Sequence, residues 1–276
     1  MSLVKRLILV TIVLTVFGAT GIAHADFAAY SAQVLADTPV VYLHLDETSG
    51  TLAADASGNG NNGTYTGGVT LGGVGAMDGS ASPAFNGSTG YVNLPGTWGG
   101  GSTLTIECWS NLNALTGNFQ AMVSSLDGTF AHFQIHNFGN TVATTDAGVV
   151  SFTILPDSPL GAWRYMVMVV ESGNSRLYVD GALFSSSALA FTTVVPTGTI
   201  RVASGFGGGR FFNGSIDEVA IYNSALSATR IQEHLDAALA APLVLGEIPT
   251  LSDWGAGIFV LLLATAGVVA VRFALR

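Results

Sequence analysis

From residue 40 to residue 222 one local pattern recurs: runs of four to nine apolar or alternating residues, each closed off by Gly, Asn, Asp or Ser. The runs are 40–45, 91–94, 103–109, 130–137, 149–155, 163–171, 176–179, 200–203 and 216–222. Such lengths suit strands, and the stretches between them lack the helical periodicity that the crossovers of a parallel sheet require. The pattern predicts an all-β domain of antiparallel sheets packed as a sandwich or jelly roll. Asp180-Gly181, between apolar neighbours, predicts a tight hairpin. Phe85-Asn86-Gly87-Ser88 and Phe212-Asn213-Gly214-Ser215 read as tight turns, because Asn and Gly tolerate positive φ. A single helical pattern, 227–240, sets Leu226, Ile231, Leu235 and Leu239 near one face and offers Ser227 as N-cap.

The two ends have a different character. Residues 1–25 begin with Lys5 and Arg6, continue through an apolar stretch at 7–17 and close on Ala23-His24-Ala25. This is the pattern of a secretory signal peptide, with Asp26 as the expected start of the mature chain. Residues 254–271 carry no charge, would span about 27 Å as a helix and are followed by Arg272 and Arg276. That arrangement predicts a transmembrane helix with a basic tail, the C-terminus in the cytoplasm and the preceding domain outside. Between the ends, residues 26–247 hold five arginines against seventeen carboxylates, a net charge of −12. So acidic a domain has no basic surface to neutralise phosphates, which excludes nucleic acid as a partner. No charge run or Pro-rich stretch divides 26–241, so it is expected to be one domain, with 242–247 as a linker.

Two stretches resemble known families. Ile248, Pro249, Thr250, Leu251 and Ser252, with Trp254 and Gly255, the apolar span 254–271 and the two final arginines, resemble the IPTL-type C-terminal sorting signal of exported bacterial proteins. The resemblance covers 248–276 and implies a membrane-bound sorting or processing enzyme as partner, with the helix either removed or retained. In the central domain the segments are Tyr42-Leu43-His44-Leu45-Asp46-Glu47, residues 55–63, Phe85-Asn86-Gly87-Ser88 and Thr105-Ile106-Glu107-Cys108-Trp109. Trp163, Leu177-Tyr178-Val179-Asp180-Gly181 and residues 212–223 follow in order. Together they resemble the laminin G-like domain, a concanavalin A-like lectin/glucanase jelly roll. That family's fold is a β-sandwich of two antiparallel sheets, and the resemblance implies glycan binding, adhesion or structural support.

The candidate sites follow from both readings. Asp55-x-Ser57-x-Asn59-Gly60 places oxygen side chains at alternate positions before a glycine, as the first half of a calcium loop does. Thr66 stands where an EF-hand needs its bidentate glutamate, so an EF-hand is excluded. The laminin G-like resemblance implies instead one structural calcium held by Asp46, Asp55, Asn59 and Asp217; an ordinary Asx turn is the alternative. On the strand expected over 130–137, His132 and His136 lie four residues apart, about 13 Å, too far for one ion to bind both. That face is read as polar, able to meet a sugar through His132, Gln134 and Asn137 with Trp98 or Phe138 as a stacking platform, or else as merely solvated.

Several sequence matches carry no chemistry. Residues 58–63 match a dinucleotide fingerprint by letters, but no helix follows to receive a pyrophosphate. Asp217 and Glu218 are adjacent in a strand and expected on opposite sides of the sheet, so they are not a catalytic pair. The Glu-x-Asp-x-x-Glu strand of jelly-roll glucanases does not occur, and Glu107 stands alone. Cys108 shares a face with Leu104 and Ile106 and reads as a small buried residue. The expected function is a non-enzymatic, exported glycan-binding or adhesion module tied to exopolysaccharide or biofilm matrix. Its expected place is the outer face of the bacterial inner membrane, the cell surface or the extracellular matrix. A self-associating structural protein and a divergent glycoside hydrolase are the alternatives.

Overall fold

Among the described residues, short apolar and alternating runs pair into two antiparallel sheets of eight strands each. A computed structural model describes residues 27–96, 103–115, 119–126, 133–136, 141–146, 148–153, 160–171, 174–187 and 199–240. The chain divides into two units, Met1–Ala241 and Pro242–Arg276, and every described residue belongs to the first. The expected signal peptide, transmembrane helix and sorting motif lie outside the described residues. Among the described residues no helix is long and apolar enough to cross a membrane.

The strands in chain order are β1 Val41–Leu43, β2 Leu52–Ala53, β3 Gly63–Thr66, β4 Val69–Val74, β5 Ala81–Asn86, β6 Tyr91–Leu94, β7 Leu104–Leu112 and β8 Gln120–Ser125. They continue with β9 Phe133–His136, β10 Thr141–Asp146, β11 Gly148–Thr153, β12 Trp163–Glu171, β13 Asn174–Val179, β14 Ala182–Ser187, β15 Ile200–Val202 and β16 Asn213–Tyr222. The first sheet runs β14-β13-β12-β7-β16-β5-β4, with β1 also pairing with β16. The second runs β11-β10-β9-β8-β15-β6-β3-β2. Leu104, Ile106 and Cys108 of the first sheet face Val92, Met122, Phe133, Ile200 and Val202 of the second in one core. Cys108 is buried there as expected, its Sγ 3.9 Å from Sδ of Met122, and burial pushes its thiol pKa up.

Two helices, α1 Phe27–Ala36 and α2 Ala228–Leu239, cover the other face of the first sheet. Tyr30, Val34, Ile231, Leu235 and Ala238 pack there against Tyr42, Trp109, Tyr165, Val167, Tyr178 and Tyr222. Ser227 caps α2 as expected, its hydroxyl accepting the Arg230 N–H at 3.2 Å. The buried face of α2 differs from the expected one: His234 and Ala238 are on it, while Leu239 is exposed. Asp180 and Gly181 form the hairpin turn with φ of 47° and 77°. Asn86 closes its expected turn, its Oδ1 accepting from the amides of Ser88, Thr89 and Gly90. The matching segment at Phe212 is no turn, because Asn213 already opens β16. Gly214 passes so close to β7 that a Cβ would stand 2.1 Å from the carbonyl oxygen of Asn111.

Candidate functional site

With the helices on the first sheet, the described functional groups gather on the outer face of the second. Alternation sends Tyr65, Val92, Leu94, Ile200 and Val202 into the core. It therefore sends Thr64, Thr66, Tyr91, Asn93 and Arg201 outward. Register aligns Thr64 with Asn93, Asn93 with Arg201, and Arg201 with Ser124, a polar row across four adjacent strands. Tyr91 lies in the next row, opposite Thr66. The Arg201 guanidinium carbon stands 3.8 Å from the centre of the Tyr91 ring, and Nε donates to Oδ1 of Asn93 at 3.0 Å.

After β15 the chain leaves the sheet through a short 3₁₀ turn, Phe206–Gly208, and returns beside β8. The amide of Ala121 donates to the Arg210 carbonyl at 2.8 Å and that of Phe212 to the Ala203 carbonyl at 2.9 Å. The return holds Arg210 at φ 58°, a left-handed conformation uncommon for a residue with a side chain. It also splits three neighbours. Phe212 enters the core, Phe211 turns outward to 6.4 Å from the Tyr91 ring, and Arg210 lies 4.6 Å over the Phe119 ring. Nη1 of Arg210 donates to Oε1 of Gln134 at 2.8 Å, and burial pulls the Arg210 pKa down. Tyr91, Asn93, Phe119, Arg201, Arg210 and Phe211 are all half-buried. Aromatic rings, guanidinium groups and an amide on one sheet face can stack on and hydrogen-bond a flat polar ligand.

Of the residues expected to meet a ligand, Trp98, His132 and Asn137 lie outside the described residues. Gln134 is corrected: it is 1 % exposed, covered by Arg210, and holds that arginine instead of meeting solvent. The sequence reading passed over Arg201, Arg210, Tyr91, Asn93 and Phe211.

Of the four expected calcium ligands, Asp55, Asn59 and Asp217 are each held by hydrogen bonds of their own. Oδ1 of Asp55 accepts the amides of Tyr42 and Ser57, and its Oδ2 accepts the Ser57 hydroxyl and the Asn61 amide. Asn59 donates its side-chain amide to the carbonyls of Pro39 and Val40. Asp217 is fully buried and accepts the Ala76 amide at 2.8 Å and the Ser80 hydroxyl at 3.3 Å. Asp46 is exposed. Among the described residues no three His, Cys, Asp or Glu side chains form a metal-holding group. The loop at Asp55 is an Asx turn braced against β1.

Two buried carboxylate networks lie under the helices. Glu107 accepts the hydroxyls of Tyr165 and Tyr222, the second at 2.6 Å, and faces Nδ1 of His234 at 3.1 Å. Nε2 of His234 is 3.0 Å from Oδ2 of Asp37, which Arg230 also holds. Burial lowers the His234 pKa, but Glu107 and Asp37 outweigh it and the net shift is upward. The second network corrects the expected opposition of Asp217 and Glu218. A bulge in β16 breaks the alternation, with Glu218 at φ 51°. Asp217 pairs opposite Trp109 while Glu218 takes the Tyr42 hydroxyl, and both rings belong to the helix-side cluster. Burial, then the neighbouring Glu218, drives the Asp217 pKa well up. Burial also raises Glu218, against the pull of His44 and Tyr42.

A family model described as the concanavalin A-like lectin/glucanases superfamily matches residues 86–232. No curated protein matches the chain. Among solved structures, domain 4 of a GH43 extracellular arabinanase from Geobacillus stearothermophilus, in complex with arabinotriose, is 17% identical, with a TM-score of 0.58 over 72% of this chain and 98% of that one. The binding domain of Paraclostridial Mosquitocidal Protein 1 is 16% identical, with a TM-score of 0.58 over 74% of this chain and 53% of that one. A botulinum neurotoxin type C structure is 14% identical, with a TM-score of 0.57 over 75% and 53% respectively. This chain thus spans about half the length of the two toxin chains. At these identities the likeness shows the fold, two antiparallel sheets in a jelly-roll sandwich.

Proposed function

The chain belongs to the concanavalin A-like lectin/glucanases superfamily, and from that premise we propose that it is an exported, cell-surface glycan-binding module that works without catalysis. The observation that carries this reading is the outer face of the second sheet, where Tyr91, Asn93, Arg201, Arg210 and Phe211 stand half-buried on strands backed by the core. Binding energy spent on such a face is not lost to ordering it. The similar arabinanase domain is in complex with arabinotriose, and the neurotoxin's cell entry depends on two ganglioside molecules. Both support a saccharide ligand. A glycoside hydrolase needs two carboxyl groups flanking the scissile bond. Glu107, Asp217 and Glu218 are fully buried and engaged, which supports binding without hydrolysis.

The reading includes the ends. Residues 1–25 direct export, and the segment from Ile248 with the span 254–271 delivers the domain to a membrane sorting or processing enzyme. The domain then acts at the outer face of the inner membrane, the cell surface or the matrix, in contact with exopolysaccharide. Mass spectrometry of the protein recovered from its own cells is expected to find Asp26 at the mature N-terminus; a chain still beginning at Met1 would remove the export step. For binding, the purified full chain is passed over immobilised polysaccharides. Retention on at least one is expected, weakened about tenfold by Phe211→Ala through lost stacking. No retention, with concentration-dependent self-association, would make the protein a structural one.

A further inference from the structure

We propose that this face selects acidic polysaccharides, gripping their carboxylate or sulfate groups with Arg201; the proposal rests on the glycan-binding reading and narrows it. The domain is strongly acidic, and three of its five arginines are tied to carboxylates: Arg164 to Asp180, Arg176 to Glu171, and Arg230 to Asp37 and Glu233. Arg201 and Arg210 are each laid over an aromatic ring on the same sheet face.

Arg201 is the clearest case. Its plane is fixed by the Tyr91 ring and its Nε by Asn93, so the side chain is ordered before any ligand arrives. Among the described residues Nη1 and Nη2 have no hydrogen-bond partner. Those two nitrogens form the end of the guanidinium fork, which matches the paired oxygens of a carboxylate or sulfate. Gly208 lies beside that end, where a Cβ would stand 3.8 Å from Nη1, in ordinary van der Waals contact and without a clash. Arg210, over the Phe119 ring with Nη1 on Gln134, adds positive charge to the same face.

The distribution of acids agrees. Across the eight strands of the second sheet the one Asp or Glu is Asp146, at the end of β10 and three strands from β15. Glu107, Glu171, Asp217 and Glu218 lie in the first sheet, and Glu233 and Asp236 in α2. An anionic chain therefore meets positive charge on this face and repulsion from the carboxylates elsewhere, which fixes where it settles.

The test titrates the full chain, at about 0.15 M salt so that long-range repulsion is screened, with two matched pairs. One pair is polygalacturonate and its carboxyl-reduced form; the other is dextran sulfate and dextran. The expected result is binding at least about tenfold tighter to an acidic member than to its neutral partner, and the pair that responds separates carboxylate from sulfate. Arg201→Gln should weaken the acidic polymer about tenfold and change the neutral one less than about twofold. Arg201→Lys should restore only part, because an ammonium group cannot make the fork. Arg201 is half-exposed, and an unchanged melting temperature for both variants separates lost binding from lost folding. Equal binding of acidic and neutral polymers, or acidic binding that Arg201→Gln leaves intact, would overturn the proposal while the glycan-binding reading stands. No binding to any polymer, here or on the wider panel, would overturn both.

Discussion

Glu107 occupies the middle of β7 with two tyrosine hydroxyls and a histidine turned on its carboxylate. A buried charge satisfied this fully is costly to disturb from one side. Glu107→Ala is expected to lose about 3–5 kcal/mol in denaturant unfolding, because it strands His234 and two hydroxyls; a loss below about 1 kcal/mol would show that the network is not closed. Asp55 makes the opposite point about metal. Both its oxygens already accept N–H or O–H groups, so a chelator should leave the melting temperature unchanged. A melting temperature that climbs with free calcium would mean that Asp46, Asp55, Asn59 and Asp217 regroup around the ion. At this scale Arg201 was passed over although its signal was present, since it alternates with Ile200 and Val202 in an expected strand. Arg210 and Gln134 were not legible, because their partners lie 76 residues apart and only folding brings them together.

Elements were legible in proportion to their own patterning. Tyr91–Leu94 and Trp163–Glu171 match the expected runs end to end, since burial of at least one face dictates their composition. Val69–Val74 and Ala81–Asn86 were passed over, holding Gly, Ser, Ala and Pro and formed by pairing with neighbours instead of by their own propensity. Helix α1 was missed because it offers two buried residues, Tyr30 and Val34, and no acidic first turn or basic last turn. Its stability comes from docking on the first sheet beside α2. His234 locks that docking, facing Glu107 from β7, the Tyr30 ring of α1, Asp37 beyond α1 and Arg230 on its own helix. Its folded pKa is raised above 6.5. Its stabilisation is therefore complete below about pH 6.5 and fades as pH rises through the folded value. Amide exchange in α1 and α2, corrected for intrinsic rates, should be slower at acidic than at alkaline pH. Equal protection at both would deny His234 the role of a lock.

The molecule as a whole carries this sign further. His44 and His234 are raised by buried carboxylates that outweigh their own burial, and Asp217 and Glu218 are raised chiefly by burial. Each of the four binds protons more readily folded than unfolded, so each stabilises at lower pH and loses that contribution as pH rises through its folded value. Partial neutralisation of a domain with net charge −12 adds in the same direction. The melting temperature is expected to rise as pH falls from about 8 to about 5, and a fall over that range would contradict the directions of the shifts. The same architecture separates roles: one sheet is sealed by helices and buried carboxylates, and the other presents arginines and rings. The most direct measurement of that division is hydrogen exchange of the full chain with and without the polysaccharide it retains best. Protection is predicted at residues 91–94 and 200–211. Protection confined to residues 55–62 or to the helices, or none anywhere, would contradict a binding face on the second sheet.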